Sequence, residues 1–152
     1  MISVETKSAM GFYIGDICYV LSDDVYHGVW GRQVRDGDGW KDSGSPGFQE
    51  GQFTHDGFTV GVAGTAHGDG EYIDECEIFT FPVDAGVLGI VPLELVQDIE
   101  KAIYYGAVLY GTHAGMEADG GRFRFTIRNS DRMTVYINVD TAGCPDDEDW
   151  ED

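Results

Sequence analysis

The stretch from Arg122 to Asp140 constrains this chain more than any other. Phe123, Phe125 and Ile127 alternate with Arg122, Arg124, Thr126 and Arg128. After Asn129-Ser130-Asp131 the pattern resumes, with Val135, Ile137 and Val139 set against Thr134, Tyr136, Asn138 and Asp140. Successive side chains on a strand point to opposite faces, so a period of two sorts apolar from polar residues. Two such runs joined by a polar turn predict an antiparallel pair with one face on a core and the other in solvent. The Asp119-Gly120-Gly121 turn and residues 107–110 extend this into a meander.

The rest of the chain is read around that sheet. Residues 12–21 are rich in β-branched and aromatic side chains and are interrupted at Gly15-Asp16, which predicts two short strands or one bulged strand. Ser22-Asp23-Asp24 has the chemistry of a helix start, and Val25, Val29, Trp30 and Val34 carry near-helical spacing up to Arg35. Residues 36–51 are polar and glycine-rich without periodicity, which predicts a loop. Strand signals return at 52–55, 58–66 and 72–81, with Asp56-Gly57 and Gly68-Asp69-Gly70 as hairpin turns. A continuous apolar run at 87–91 predicts a short buried strand. Pro92 is suited to open a helix whose stripe is Leu95, Ile99 and Ala102 or Ile103, with Gly106 closing it.

Glycine makes up 22 of 152 residues, about double the usual share of roughly 7%, and apart from Gly120-Gly121 it is scattered singly as turn residues are. The length suits one hydrophobic core, and an apolar fraction of 42% can fill it. The expected architecture is α+β: a predominantly antiparallel sheet or partly open barrel of seven or more strands, with two short helices. One domain spans 1–142, and an acidic tail spans 143–152.

Charge narrows the partners. Acids outnumber bases 28 to nine, for a net charge of −19. Such an exterior repels phosphate backbones and anionic membranes and favours basic protein surfaces. Direct nucleic-acid binding and membrane binding are therefore not expected. The tail concentrates this character in Asp146, Asp147, Glu148, Asp149 and Glu151, with Trp150 among them as a candidate anchor for a partner. Four of the six arginines, Arg122, Arg124, Arg128 and Arg132, fall in one hairpin, which with Asp131 is +3 and leaves −22 on the remainder. They form either cross-strand pairs with acids such as Glu117 and Asp140, or an anion-binding or self-association face. Adaptation to high salt is a third account of the acidity.

Catalytic signals are weak. Cys18, Cys76 and Cys144 are odd in number and lie far apart, which fits neither a disulfide framework nor a zinc site. Cys18 lies in an apolar run and Cys76 between Glu75 and Glu77, neither a setting for a nucleophilic cysteine. No GxSxG, HExxH or P-loop pattern is present, so no catalytic residue, metal or cofactor is expected. Residues 1–10 lack the apolar run of a signal peptide and no stretch is long enough to span a membrane, so a cytoplasmic location is expected. The one ligand site worth carrying forward comprises Asp16, His67, Asp69 and Asp84. Asp16 and Asp84 sit in glycine turns between apolar strands, and a common sheet end would bring them together.

Three segments form a recognisable set: Gly15-Asp16-x-Cys18-Tyr19-Val20, His67-Gly68-Asp69-Gly70-x-Tyr72, and Val83-Asp84-Ala85-Gly86-x-x-Gly89-x-Val91-Pro92-Leu93-Glu94-Leu95. Together they resemble a family of small uncharacterised bacterial and phage proteins with no established activity. The resemblance implies a source, a phage or mobile element. With the acidity, it leads to the expectation of a non-enzymatic inhibitor of a host defence complex, of anti-CRISPR or anti-restriction type, docking on a basic nucleic-acid-binding surface. The alternative is a small-ligand-binding protein or hydrolase at Asp16, His67, Asp69 and Asp84.

Overall fold

A computed structural model describes residues 2–22, 25, 33–36, 39–42, 51–84, 86–129 and 133–142. The strands among these residues are β1 (Ile2–Lys7), β2 (Phe12–Gly15), β3 (Gln33–Asp36), β4 (Gly39–Asp42), β5 (Gly51–His55), β6 (Phe58–Gly64), β7 (Gly70–Ile73), β8 (Thr80–Val83), β9 (Val87–Pro92), β10 (Ala107–Leu109), β11 (His113–Asp119), β12 (Arg122–Arg128) and β13 (Thr134–Asp140). One helix, α1 (Ile99–Tyr105), and 3-10 turns at Ile17–Tyr19 and Leu93–Leu95 complete the described elements. No helix among the described residues is long and apolar enough to cross a membrane.

All pairings among the described strands are antiparallel. A four-stranded sheet runs β1-β11-β12-β13, and a five-stranded sheet runs β10-β2-β9-β6-β5. The alternation in β12 and β13 sets the inner face of the first sheet. Val4, Met116, Phe125 and Ile137 stand opposite one another in register across all four strands, and each is at most 3% exposed. Truncating a buried phenylalanine such as Phe125 to alanine costs on the order of 3–5 kcal/mol. Facing this row are Phe12, Ile14, Leu88 and Ile90 of the second sheet.

The second sheet is covered on its other face too. Tyr13, Val60, Val62 and Val91 pack there against Ile17, Val20, Leu93 and Ala102, contributed by the 3-10 turns, the segment after the first of them and α1. β9, paired with β2 and β6 and covered on both faces, is buried at all six positions. That is why residues 87–91 read as an unbroken apolar run rather than an alternation.

Several expectations are met and several corrected. The packed antiparallel sheets do not close into a barrel. Asp56-Gly57 and Gly120-Gly121 are both hairpin turns with positive φ at both positions (53° and 83°; 60° and 89°), as tight turns matched to strand twist require. Gly68-Asp69-Gly70 is a connection rather than a hairpin, because β6 pairs with β5 and β9 while β7 pairs with β8. The run 72–81 is itself a hairpin, β7–β8. Residues 12–21 hold one strand followed by a 3-10 turn, which Asp16 caps by accepting the Cys18 N–H. β10 pairs with β2 in the second sheet and does not open the meander.

The first predicted helix keeps its start, where Ser22 Oγ accepts the Val25 N–H at 3.5 Å, but Gln33–Asp36 is a strand. Residues 23–24 and 26–32 lie outside the described residues. β4 occupies part of the expected loop at 36–51, paired with β3. Pro92 ends β9 and leads into a 3-10 turn. The helix proper starts later, capped by Asp98 accepting the Glu100 N–H. Of its expected stripe, Ala102 is buried while Ile99 and Ile103 are exposed. Gly106 is its C-cap with φ −167°, so the left-handed conformation is not the reason for glycine there. A β-carbon would collide with the Ile14 carbonyl oxygen and the Tyr13 ring.

Candidate functional site

The turns carrying Asp16, Asp69 and Asp84 do converge at one end of the second sheet. Asp16 is fully buried, with Oδ1 accepting the Cys18 N–H at 3.0 Å and Oδ2 accepting the Asp84 N–H at 2.7 Å. Tyr13 donates its hydroxyl to the Asp16 carbonyl at 2.8 Å. A second turn leans on the first. Thr65 donates its hydroxyl to the Gly68 carbonyl at 2.7 Å and its N–H to the Gly86 carbonyl at 3.0 Å. Asp69 Oδ1 would stand 3.8 Å from a β-carbon at Gly86. His67 and Asp69 point into solvent as exposed residues, whereas Asp16 binds backbone across the two turns.

The chemistry of this cluster follows from burial and acidity. Desolvation, with Asp16 beside it, pushes the Cys18 thiol well above its ordinary range. Desolvation and a hydrogen bond to Asp84 do the same for the Tyr19 phenol, which stacks on Tyr105 with ring centroids 3.9 Å apart. At neutral pH both stay protonated, so the cluster offers neither thiolate nor phenolate. Among the described residues, no group of three or more His, Cys, Asp or Glu is placed to hold a metal ion.

The outer face of the four-stranded sheet is a different setting. Register places Lys7, His113, Arg128 and Thr134 in one row, Glu5, Gly115, Thr126 and Tyr136 in the next, and Ser3, Glu117, Arg124 and Asn138 in the third. The β1, β11 and β12 members of these rows other than Arg124, with Gly57 and Thr59 of the β5–β6 hairpin beside them, line a groove of about 500 Å³. The arginines divide along the face. Arg122 pairs with Asp140 at 3.4 Å. Arg124 donates to Asn138 Oδ1 at 3.0 Å and lies over the Tyr136 ring at 5.4 Å. Arg128 and Lys7 line the groove, and neither forms an ion pair among the described residues. The expected cross-strand pairing with Asp140 is thus present for Arg122. Arg132 lies outside the described residues.

A third feature is the tip of the β7–β8 hairpin. Asp74, buried at 4% exposure, accepts N–H groups from Cys76 (3.2 Å), Ile78 (2.8 Å) and Phe79 (2.7 Å). These bonds hold Glu77 at φ 61° and fix a tight knuckle. Glu75 ties the knuckle to the first sheet by donating its N–H to the Asn138 carbonyl at 2.8 Å. The result presents Ile78, 70% exposed, beside Glu75 and Glu77.

The acidic tail residues Asp146, Asp147, Glu148, Asp149, Trp150 and Glu151 lie outside the described residues. Sequence reasoning missed the groove residues Lys7, His113 and Gly115 and the knuckle. The available signals were the alternation in Ile2-Ser-Val-Glu-Thr-Lys7 and the polar interruption at Asp74-Glu75-Cys76-Glu77. No family model, curated protein or solved structure matches this chain.

Proposed function

We propose that this is a non-catalytic binding protein whose acidic exterior docks on a basic protein surface shaped to hold nucleic acid. The observation that carries the reading is the knuckle: an isoleucine 70% exposed, framed by two glutamates and fixed in advance by Asp74, on a chain of net charge −19. Apolar anchors supply most interface energy, while surrounding charge steers encounter and selects partners. A turn already fixed loses little freedom on binding, which favours affinity. Inhibition of a host defence complex is the narrower form of this reading, and it rests on the family resemblance and the acidity together.

The test is retention of basic, nucleic-acid-binding proteins from host lysate at two ionic strengths, with wild type and Ile78→Ser compared. The proposal expects capture to fall steeply with salt, to weaken at least about tenfold in the variant, and to be competed by nucleic acid. Capture indifferent to salt, to the substitution and to nucleic acid overturns it. A small-ligand or hydrolytic site at Asp16, His67, Asp69 and Asp84 has the convergence of the turns in its favour. It would be marked by activity that Asp16→Asn abolishes without loss of stability.

A further inference from the structure

We propose that the groove over β1, β11 and β12 is a binding site for a small zwitterion of tripeptide size. Its carboxylate is held at the Lys7–His113–Arg128 end and its ammonium group at Glu117. This surface is separate from the acidic knuckle and stands or falls independently of it.

Gly115 forms part of the groove floor. Glycine inside a strand weakens it by roughly 0.5–1 kcal/mol relative to alanine, so it needs a reason. The backbone supplies none. Gly115 has no positive φ, and the nearest atom to an added β-carbon is the Val4 carbonyl oxygen at 3.4 Å, an ordinary contact. What a side chain there would fill is the groove itself.

Charge points the same way. On a chain with 28 acids and nine bases, Lys7 and Arg128 share one row with His113 between them, and neither forms an ion pair among the described residues. Thr112 Oγ1 lies 3.0 Å from His113 Nδ1, which leaves Nε2 as the uncommitted ring nitrogen. Arginine and lysine are matched to carboxylates through short charge-assisted hydrogen bonds. Glu5 and Glu117, which line the same groove beyond the cationic row, work against a polyanion such as phosphate and favour a ligand that also carries positive charge, with Glu117 the acid farther from that row.

The dimensions agree. A volume of about 500 Å³ lies within the range of small-molecule sites. His113 and Glu117 lie on the same face of β11, four residues and so about 14 Å apart at roughly 3.4 Å per residue. An extended tripeptide spans about 10 Å, which leaves about 4 Å in all to be shared between the contacts at its two ends.

Trialanine is the probe, followed by amide resonances of the full chain. Its blocked forms, N-acetyl-trialanine and trialanine amide, and inorganic phosphate are the other arms. The proposal expects saturable shifts at residues 113–117 with Kd on the order of 1 mM or tighter, weakened about tenfold or more by blocking either end. Gly115→Leu should abolish binding while the thermal melt is kept or raised, and Arg128→Gln should weaken it about tenfold or more. No saturable shift in the groove, equal binding of the blocked peptides, binding of phosphate instead, or binding untouched by Arg128→Gln each overturns the proposal.

Discussion

Replacing Asp16 separates a structural carboxylate from a working one. The side chain is completely buried and joins two turns 68 residues apart in sequence through the bond from the Asp84 N–H at 2.7 Å. It also caps the 3-10 turn through the Cys18 N–H at 3.0 Å. Asp16→Ala strands both donors, and an unsatisfied donor out of water costs roughly 1–3 kcal/mol. Some relaxation of the exposed Asp84 turn toward solvent recovers part of this, so the expected loss is about 2–4 kcal/mol. For a chain of this length that corresponds to a fall in Tm on the order of 5–15 °C. Asp16→Asn keeps one acceptor oxygen but turns its amide group toward one of the two N–H donors, so it should lose about 1–3 kcal/mol. Urea unfolding followed by circular dichroism measures both. A midpoint for Asp16→Asn within error of wild type would refute the architectural assignment.

Two further outcomes follow from local geometry. Burial draws the Glu94 carboxyl upward, but hydrogen bonds from Ser8 Oγ (2.6 Å) and the Ala9 N–H (2.8 Å) prevail and hold it below the ordinary glutamate range. Its stabilisation is therefore complete above the unfolded value of about 4.3 and fades as pH falls through the lower folded value. Glu94→Gln should flatten the acid limb of the urea-midpoint curve, and parallel limbs would count against this. Gly106→Ala should destabilise by about 1–3 kcal/mol through collision with Ile14 and Tyr13. A Tm equal to wild type would show that the close approach is not real.

Much of this architecture was legible wherever the determinant is local. Arg122–Arg128 alternates cleanly because one face meets Met116 and Ile137 and the other meets water. Val135 departs from the same pattern, exposed near the end of β13. Asp56-Gly57 and Gly120-Gly121 announce their turns because few residues accept positive φ. Partnership between distant segments was less legible. Nothing in Ala107–Leu109 says that it pairs with β2 rather than with the strand that follows. Ile73, Ile78, Phe79 and Phe81 look like one strand until Asp74 gathers three backbone donors between them. The Asp16–Asp84 connection was anticipated as shared position, but its form, carboxylate to backbone, depends on the depth at which Asp16 is buried. The groove was invisible because its walls come from segments far apart in sequence, residues 3–7, 57–59 and 113–128, and only the register aligns Lys7, His113 and Arg128.

The pairing of β1 with β11 also sets an order of assembly. Ile2–Lys7 is the earliest of the described strands, yet its hydrogen-bonded neighbour in this sheet is His113–Asp119. Val4 stays without its in-register neighbour until the distant Met116 is available, although Gly61 of the second sheet also lies against it. The second sheet, whose β5, β6 and β9 lie closer together in sequence, has its materials sooner. So many distant pairings close slowly, because loop entropy is lost before contacts compensate for it. Ile2–Lys7 is thus among the last strands to be seated in its sheet.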